Sequence, residues 1–221
     1  TGNLLANHLL MDLYEDDPEE LIRRLQPAAV INNRGFAPGD YSTPERDFDP
    51  ESANPDSDAK RPIEACQSAG VNSWGFRNEE DYYSIRYFLN RIDRTLAAGG
   101  NYLLNIGPAG DGSVVPFERD VLLAVGRWLS KYGEAVYDTE ASPYAGVQWW
   151  HSTRREHTLY VMTPDASAES EIRIPAAGNR LVGARSLGDG AELAFRREGS
   201  EYVVARPAAG DIYGVAALEF E

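Results

Sequence analysis

Reactive side chains are sparse in this chain, and their types narrow the chemistry. Cys66 is the single cysteine, and the three histidines His8, His151 and His157 lie far apart. No disulfide can close within the chain, and no thiolate or histidine cluster is expected to hold a metal. Acid, base or nucleophile chemistry is therefore expected from carboxylates, with no metal and no organic cofactor. Three stretches gather such groups with cations, aromatics and glycines. The first is Asn32-Asn33-Arg34-Gly35 with Thr43-Pro44-Glu45-Arg46-Asp47, where Arg34 and Arg46 can steer the protonation of Glu45. The second runs from Glu64-Ala65-Cys66-Gln67 to Ser73-Trp74-Gly75, and the third from Gly99-Gly100-Asn101 through Asn105-Ile106-Gly107-Pro108.

These residues need elements to hold them. Asp17-Pro18-Glu19-Glu20 ahead of Leu21, Ile22 and Leu25 predicts a helix that Pro27 stops, since acidic residues and proline suit a first turn. Ala28 to Asn33 is an apolar run of the length of a buried parallel strand. Its end places Arg34 at the C-terminal edge of a sheet, where βα enzymes assemble their sites. From Arg34 to Pro62 the chain is dense in Gly, Pro, Asp and Ser and reads as one long loop, of a length that usually carries function. Ile85, Phe88, Leu89, Ile92 and Leu96 predict a helix over 78–98, ended by Gly99-Gly100. Tyr102 to Ile106 is a second buried strand, and Val121, Leu122, Val125, Trp128 and Leu129 mark a third helix. This βαβ order predicts a parallel sheet.

After about Tyr137 the pattern changes. Residues 157–163, 171–174, 181–186, 192–195, 202–205 and 215–220 are short apolar runs parted by Gly, Pro, Asp or Ser, as in a small antiparallel sandwich. Trp149-Trp150-His151 and Arg154-Arg155 lie here; packing between the two domains is the expected role of that aromatic cluster, with a carbohydrate-binding surface as the other reading. Gly107 to Gly112 is not a phosphate cradle, because Pro108 removes a donor, no lysine follows and the next helix starts only near Pro116.

With 21 Lys and Arg against 35 Asp and Glu, the net charge is -14. That excess repels phosphate backbones and anionic lipid, which argues against nucleic acid or membrane as partner. No run of about 18 apolar residues is present. Thr1 to Met11 lacks a basic n-region and a small-residue cleavage site, so it does not read as a secretory signal, and a chain starting there is expected in the cytoplasm.

Together, in this order, the three stretches resemble glycoside hydrolase family 29, the α-L-fucosidases, with its segments like "lqP..vvNdRg", "sWGy" and "GGNyLLNiGP..dG". The likeness runs from about Leu21 to Tyr137 and includes Gly126-Arg127-Trp128-Leu129 and Tyr132-Gly133-Glu134-Ala135-Val136-Tyr137. It implies a retaining exo-α-L-fucosidase acting on terminal α-L-fucose of glycoconjugates or oligosaccharides. Glu45 then becomes the acid/base and Arg34 a substrate-binding residue, whose competing role is an ion pair with Asp40, Glu45 or Asp47. Trp74 offers an aromatic face to the sugar, against the alternative of a core tryptophan. The family's nucleophile is an aspartate ending a stretch like "lWfDg". The corresponding residue is Asp12, after Leu9-Leu10-Met11, although the aromatic before it is missing and a turn or cap role competes.

The implied fold is α/β: the C-terminal portion of a (β/α)8-type barrel over residues 1–137, then an antiparallel β-sandwich over 138–221. A whole barrel takes about 250 residues. Half of one leaves strand edges and apolar faces open unless an N-terminal part, a second chain or a homo-oligomer completes it. The alternative to the enzyme is a non-catalytic carbohydrate-binding or truncated fragment that needs an N-terminal half for activity.

Overall fold

A computed structural model describes residues 17–34, 39–46, 62–144, 149–165, 167–208 and 212–221. Asp12, expected as nucleophile, lies outside the described residues, as does His8. The first described helix, α1 (Pro18–Leu25), is capped by Asp17, whose carboxylate accepts from the Glu19 amide at 2.9 Å. Glu19 and Glu20 in its first turn and Arg23 and Arg24 in its last follow the helix dipole.

Four short parallel segments then lie side by side. Single bridges join Asn32 to Tyr41, Ser42 to Ile63 and Glu45 to Cys66, and β1 (Glu64–Ser68) pairs in parallel with β2 (Asn101–Asn105). Two expectations change here. The 28–33 run forms only the bridge at Asn32, and Val30 is 73% exposed, because no described residue covers that side of it. The long polar loop, conversely, contributes residues 41–45 to the row, held by backbone bonds such as Cys66 N to Pro44 O at 2.9 Å. Thr43, Pro44 and Glu45 show no apolar alternation because backbone pairing, not a buried face, keeps them there.

From β1 the chain crosses through α2 (Ile85–Ala97) to β2. The helix begins at Ile85, not at Asn78. Ser84 caps it by accepting from the Tyr87 amide at 3.2 Å, while Tyr82 bridges back to Gly70 and Glu80 accepts from Asn72. Residues 78–84 are thus used to fasten the preceding loop. Gly99 ends the helix with φ +78°, a conformation that costs a side-chain-bearing residue. The third helix, α3 (Pro116–Tyr132), starts with Pro116 and buries Val121, Val125, Trp128 and Tyr132.

Two antiparallel sheets follow, β3 (His151–Arg155), β4 (Thr158–Pro164), β9 (Tyr213–Phe220) and β6 (Leu181–Ser186) in one, and β5 (Glu171–Pro175), β8 (Glu201–Ala205) and β7 (Phe195–Glu198) in the other. β3 went unread in the sequence because its Ser, Thr and Arg residues lack an apolar run. The expected strand at 192–195 begins instead at Phe195, with Glu192 making a lone bridge to Arg185. The four-stranded sheet is buried on both faces. Tyr160, Met162, Tyr213 and Val215 join the cluster formed by Phe88, Leu89, Val125 and Trp128, while Leu159, Val161, Ala216 and Leu218 meet Trp150, Ile172, Ile174 and Val204 of the inter-sheet cluster. Two buried faces explain why β4 and β9 are continuously apolar. No described helix is long and apolar enough to cross a membrane.

Candidate functional site

Because the four segments are parallel, the residues that follow them all leave at one edge. Arg34 follows the bridge at Asn32, Glu45 and Arg46 end the second segment, the loop after β1 carries Trp74, and the turn after β2 carries Gly107. The residues singled out in the sequence, Asp12 excepted, converge there through backbone topology.

Arg34 is locked across two segments. Its Nε donates to Thr43 Oγ1 at 2.7 Å, its Nη2 to Thr43 O at 3.2 Å, and its Nη1 contacts Glu45 Oε1. Thr43 is fixed in turn by Asn33, whose Oδ1 accepts from the Thr43 amide and hydroxyl, both at 3.0 Å. Of the partners weighed for Arg34, Glu45 is the one it touches, and Asp40 pairs with Arg23 instead at 2.8 Å. Asp47 lies outside the described residues. The ion pair is not buried: the Arg34 and Glu45 side chains are 46% and 42% exposed. Both reach solvent, as groups that must meet a ligand do. A buried structural pair would instead have to be sealed from it.

Cys66 pairs directly with Glu45 in the parallel register. Burial pushes its thiol pKa up, and so do Glu45 and Glu64, while Arg34 pulls it back. A thiol held protonated is a poor nucleophile, so Cys66 is a wall of the site.

Trp74 is half-buried and belongs to neither core cluster, so it is not a core tryptophan. Its carbonyl accepts from Asn105 Nδ2 at 2.7 Å, and the Arg46 guanidinium stacks 4.6 Å from the centre of its ring. Glu80, whose side chain is 3% exposed, accepts from the Asn72 amide at 2.7 Å. A side chain at Gly107 would place its Cβ 2.6 Å from the Gly75 carbonyl carbon, so only glycine lets the β2 turn support the Trp74 loop. The buried Glu118 carboxylate accepts from the Gly107 amide at 3.0 and 3.2 Å, which leaves that amide unavailable to a phosphate. Among the described residues no group of three or more His, Cys, Asp or Glu could hold a metal.

The sequence pointed to Arg34, Glu45 and Trp74, but not to Asn33, Thr43, Glu80 or Glu118 as the residues that hold them. Arg46 was visible only as a cation near Glu45. Polar supporting contacts span different segments and leave no spacing to read. Of the aromatic cluster expected to pack between the domains, Trp150, 1% exposed, packs between the two sheets instead, and Trp149 carries Arg206 over its ring; only His151 of the run reaches across, to Asp93 of α2 at 3.2 Å.

Comparison with known proteins adds an independent line. A family model described as α-L-fucosidase matches residues 11–134. Human tissue α-L-fucosidase is 36% identical over 156 residues, which cover 67% of this chain and 30% of that protein. An α-L-fucosidase of Branchiostoma floridae is 38% identical over 133 residues, covering 59% of this chain and 28% of its own length. Among solved structures, α-L-fucosidase isoenzyme 1 from Paenibacillus thiaminolyticus superposes with a TM-score of 0.79 at 28% identity, over 91% of this chain and 52% of that one. The chain thus spans about three tenths of the curated relatives it matches and about half of that solved structure.

Proposed function

The chain belongs to the α-L-fucosidase family, and from that premise we propose that it serves the hydrolysis of terminal α-L-fucose from glycoconjugates or oligosaccharides with retention of configuration. The observation that carries this reading is the solvent-reaching contact between Arg34 and Glu45 at the common edge of the parallel segments. A retaining glycosidase needs two carboxyl groups roughly 5 to 5.5 Å apart, one to attack the anomeric carbon and one to protonate the departing oxygen. Glu45 is the acid/base. Released from Arg34 and protonated from solvent, it gives that proton to the glycosidic oxygen and then takes a proton from the water that attacks the same carbon. Asp12 is the nucleophile, forming the fucosyl ester that this water breaks. Arg34, freed from Glu45, holds the sugar, and Trp74 supplies an apolar face for the substrate.

We also propose the architecture in which this works: residues 1–137 as the C-terminal portion of a (β/α)8-type barrel and 138–221 as the sandwich. Leu103 on β2 is 41% exposed and Leu123 on α3 52% exposed, apolar surface that further strands and helices would cover. Those strands come from an N-terminal part, a second chain or a further copy. The same open surface favours a second reading, in which this chain binds sugar without turnover until such strands join it.

A chromogenic α-L-fucoside assayed with the purified chain, Asp12→Ala and Glu45→Ala decides between them. Both substitutions are expected to slow turnover at least about a hundredfold. Turnover that survives both sinks the assignments, and fucose binding by calorimetry without turnover in the unsubstituted chain favours the second reading.

A further inference from the structure

The turn between β3 and β4, the end of β9 and the connection from β5 to β6 meet around a cavity of about 440 Å³. That volume is within the range of about 300 to 1,000 Å³ in which small ligands are held. Tyr144 and Phe220 line it, half-buried, each with its ring packed against the inter-sheet cluster. Both rings are set in place. Tyr144 Oη donates to Pro175 O at 3.0 Å and the ring meets Trp150 edge-on at 6.2 Å. Phe220 meets Tyr202 edge-on at 6.3 Å, and its amide donates to His157 O at 2.9 Å. A fixed aromatic ring that still reaches the cavity offers an apolar face at little further entropic cost.

The polar lining divides into engaged and free groups. Arg154 contacts Glu140 at 2.6 Å, and Glu221 contacts Arg180 at 3.2 Å. The side chains of Glu156, His157 and Asn179 are exposed at the same cavity and have no partner among the described residues. Two lining residues also hold left-handed backbone, Glu156 at φ +52° and Ala177 at φ +45°. Glycine takes that conformation without strain and is the preferred residue in a two-residue turn such as 156–157. A glutamate kept there against that preference points to a use for its carboxylate.

The cavity lies away from the candidate active site. Arg86, near the start of α2, donates to Asp165, just past the end of β4, at 3.0 Å, whereas Ala97 at the end of α2 accepts from the Ser142 amide at 2.8 Å. Since α2 starts from the loop that leaves the site edge, the Asp165 end of β4 is the one near that edge, and the 156–158 end is the far one.

We propose that this cavity is a second, non-catalytic sugar site for a neutral, fully hydroxylated hexopyranose. Tyr144 and Phe220 take the C–H faces of the sugar, and Glu156, His157 and Asn179 exchange hydrogen bonds with its hydroxyls. A ring of free polar groups suits hydroxyls all round better than the methyl of a deoxy sugar, and Glu156 and Glu221 repel a uronic acid. Held at this end, the chain stays on glycan-bearing material while the parallel edge is left free, which raises the effective concentration of sugar there. The site uses neither Asp12 nor Glu45, so it stands or falls apart from the fucosidase reading.

The test is amide NMR of the isotope-labelled full chain titrated with the methyl pyranosides of glucose, galactose and mannose, and with methyl glucuronide. At least one of the three neutral hexosides should shift the amides of Tyr144, His157, Asn179 and Phe220 with a dissociation constant of about 1 mM, and the glucuronide should not. Glu156→Gly and Asn179→Ala should each weaken that binding about tenfold. Glu156→Gly should melt no lower than the unsubstituted protein, because glycine relieves the turn. Asn179→Ala, which removes no contact among the described residues, carries the test if Glu156→Gly does not fold. Shifts from none of the three hexosides, shifts only at the Arg34–Glu45 edge, a glucuronide that binds equally well, or variants that bind as the unsubstituted chain does would each overturn the proposal.

Discussion

The two-sheet region and the parallel segments are built from similar residues to opposite ends. In the sandwich the apolar side chains are sealed: Val161, Ile172, Ile174, Val203, Val204, Ala216 and Leu218 have no solvent exposure. Along the parallel row the apolar side chains at Val30 and Leu103 stay in contact with water, and charged residues line the edge where loops leave. A sealed core gains stability from area removed from water. An open edge leaves Arg34, Glu45 and Trp74 accessible and holds them by hydrogen bonds across neighbouring segments. The difference teaches where substitutions should act, on stability in one region and on chemistry in the other.

The sharpest contrast is at the edge. Glu45→Gln removes the carboxyl proposed as the acid/base while keeping shape and most hydrogen-bonding capacity. Hydrolysis of an aryl α-L-fucoside should fall by about 10²- to 10⁴-fold, with the unfolding midpoint unmoved. If the midpoint drops while activity persists, the edge is structural and the contrast fails. Trp150→Ala is the mirror experiment. Trp150 fills the space between the sheets at 1% exposure, so its loss should cost about 3 to 5 kcal/mol in chemical denaturation. Fucose affinity in the protein that remains folded should not change.

The sandwich was the more legible of the two in the sequence, because a strand buried on one or both faces writes its position into an apolar run, as 158–164 and 213–220 do. Where burial does not fix a segment, the signal is weak. β3 is Ser, Thr and Arg and was not visible, and residues 41–45 read as loop although they pair in parallel with Ile63 and Cys66. The start of α2 was misplaced for a related reason. Asn78 is a good cap by type, but Ser84 does the capping because Glu80 and Tyr82 are engaged with Asn72 and Gly70. Arg34, Glu45 and Trp74 could be named from motifs, whereas the contact between Arg46 and Trp74 joins residues 28 positions apart and depends on one left-handed residue.

A third experiment probes the junction of the regions. Asp93 of α2 is fully buried, and its Oδ2 lies 3.2 Å from His151 Nδ1 at the start of β3, with Tyr213 of β9 beside it. Burial pushes the Asp93 carboxyl above the ordinary range, while His151 and Tyr213 pull it partly back. A raised pKa means that the fold favours the protonated form. That contribution is whole below the ordinary aspartate value of about 3.9 and is lost as pH rises through the higher folded value. Asp93→Asn keeps the neutral form at every pH. Its melting temperature minus that of the unsubstituted protein should therefore increase as pH is raised from about 4 towards 7. No increase over that window would mean that Asp93 is already ionised in the fold beside His151, and the two regions would then be joined by an ion pair instead of a neutral contact.

The smallest effect is expected on the outer surface of the three-stranded sheet, where charge is as dense as at the candidate site but does no comparable work. Arg196 pairs there with Glu171 at 2.8 Å and with Glu198 at 2.7 Å, and Arg173 reaches Glu198 at 3.1 Å. These partners hold the Glu171 and Glu198 carboxyls below their usual range, with Arg196 the leading cause in both. All of them face water, where attraction between charges is screened and offset by the entropy of ordering long side chains. Arg196→Ala should leave thermal unfolding nearly unchanged in low salt, and any residual difference should vanish as salt is added. Arg34→Ala, with its own exposed carboxylate partner, should be just as mild in stability and should weaken fucose binding. If Arg196→Ala destabilises the fold and Arg34→Ala leaves sugar binding intact, exposure at the parallel edge has no functional meaning. The two charge clusters would then differ only in position.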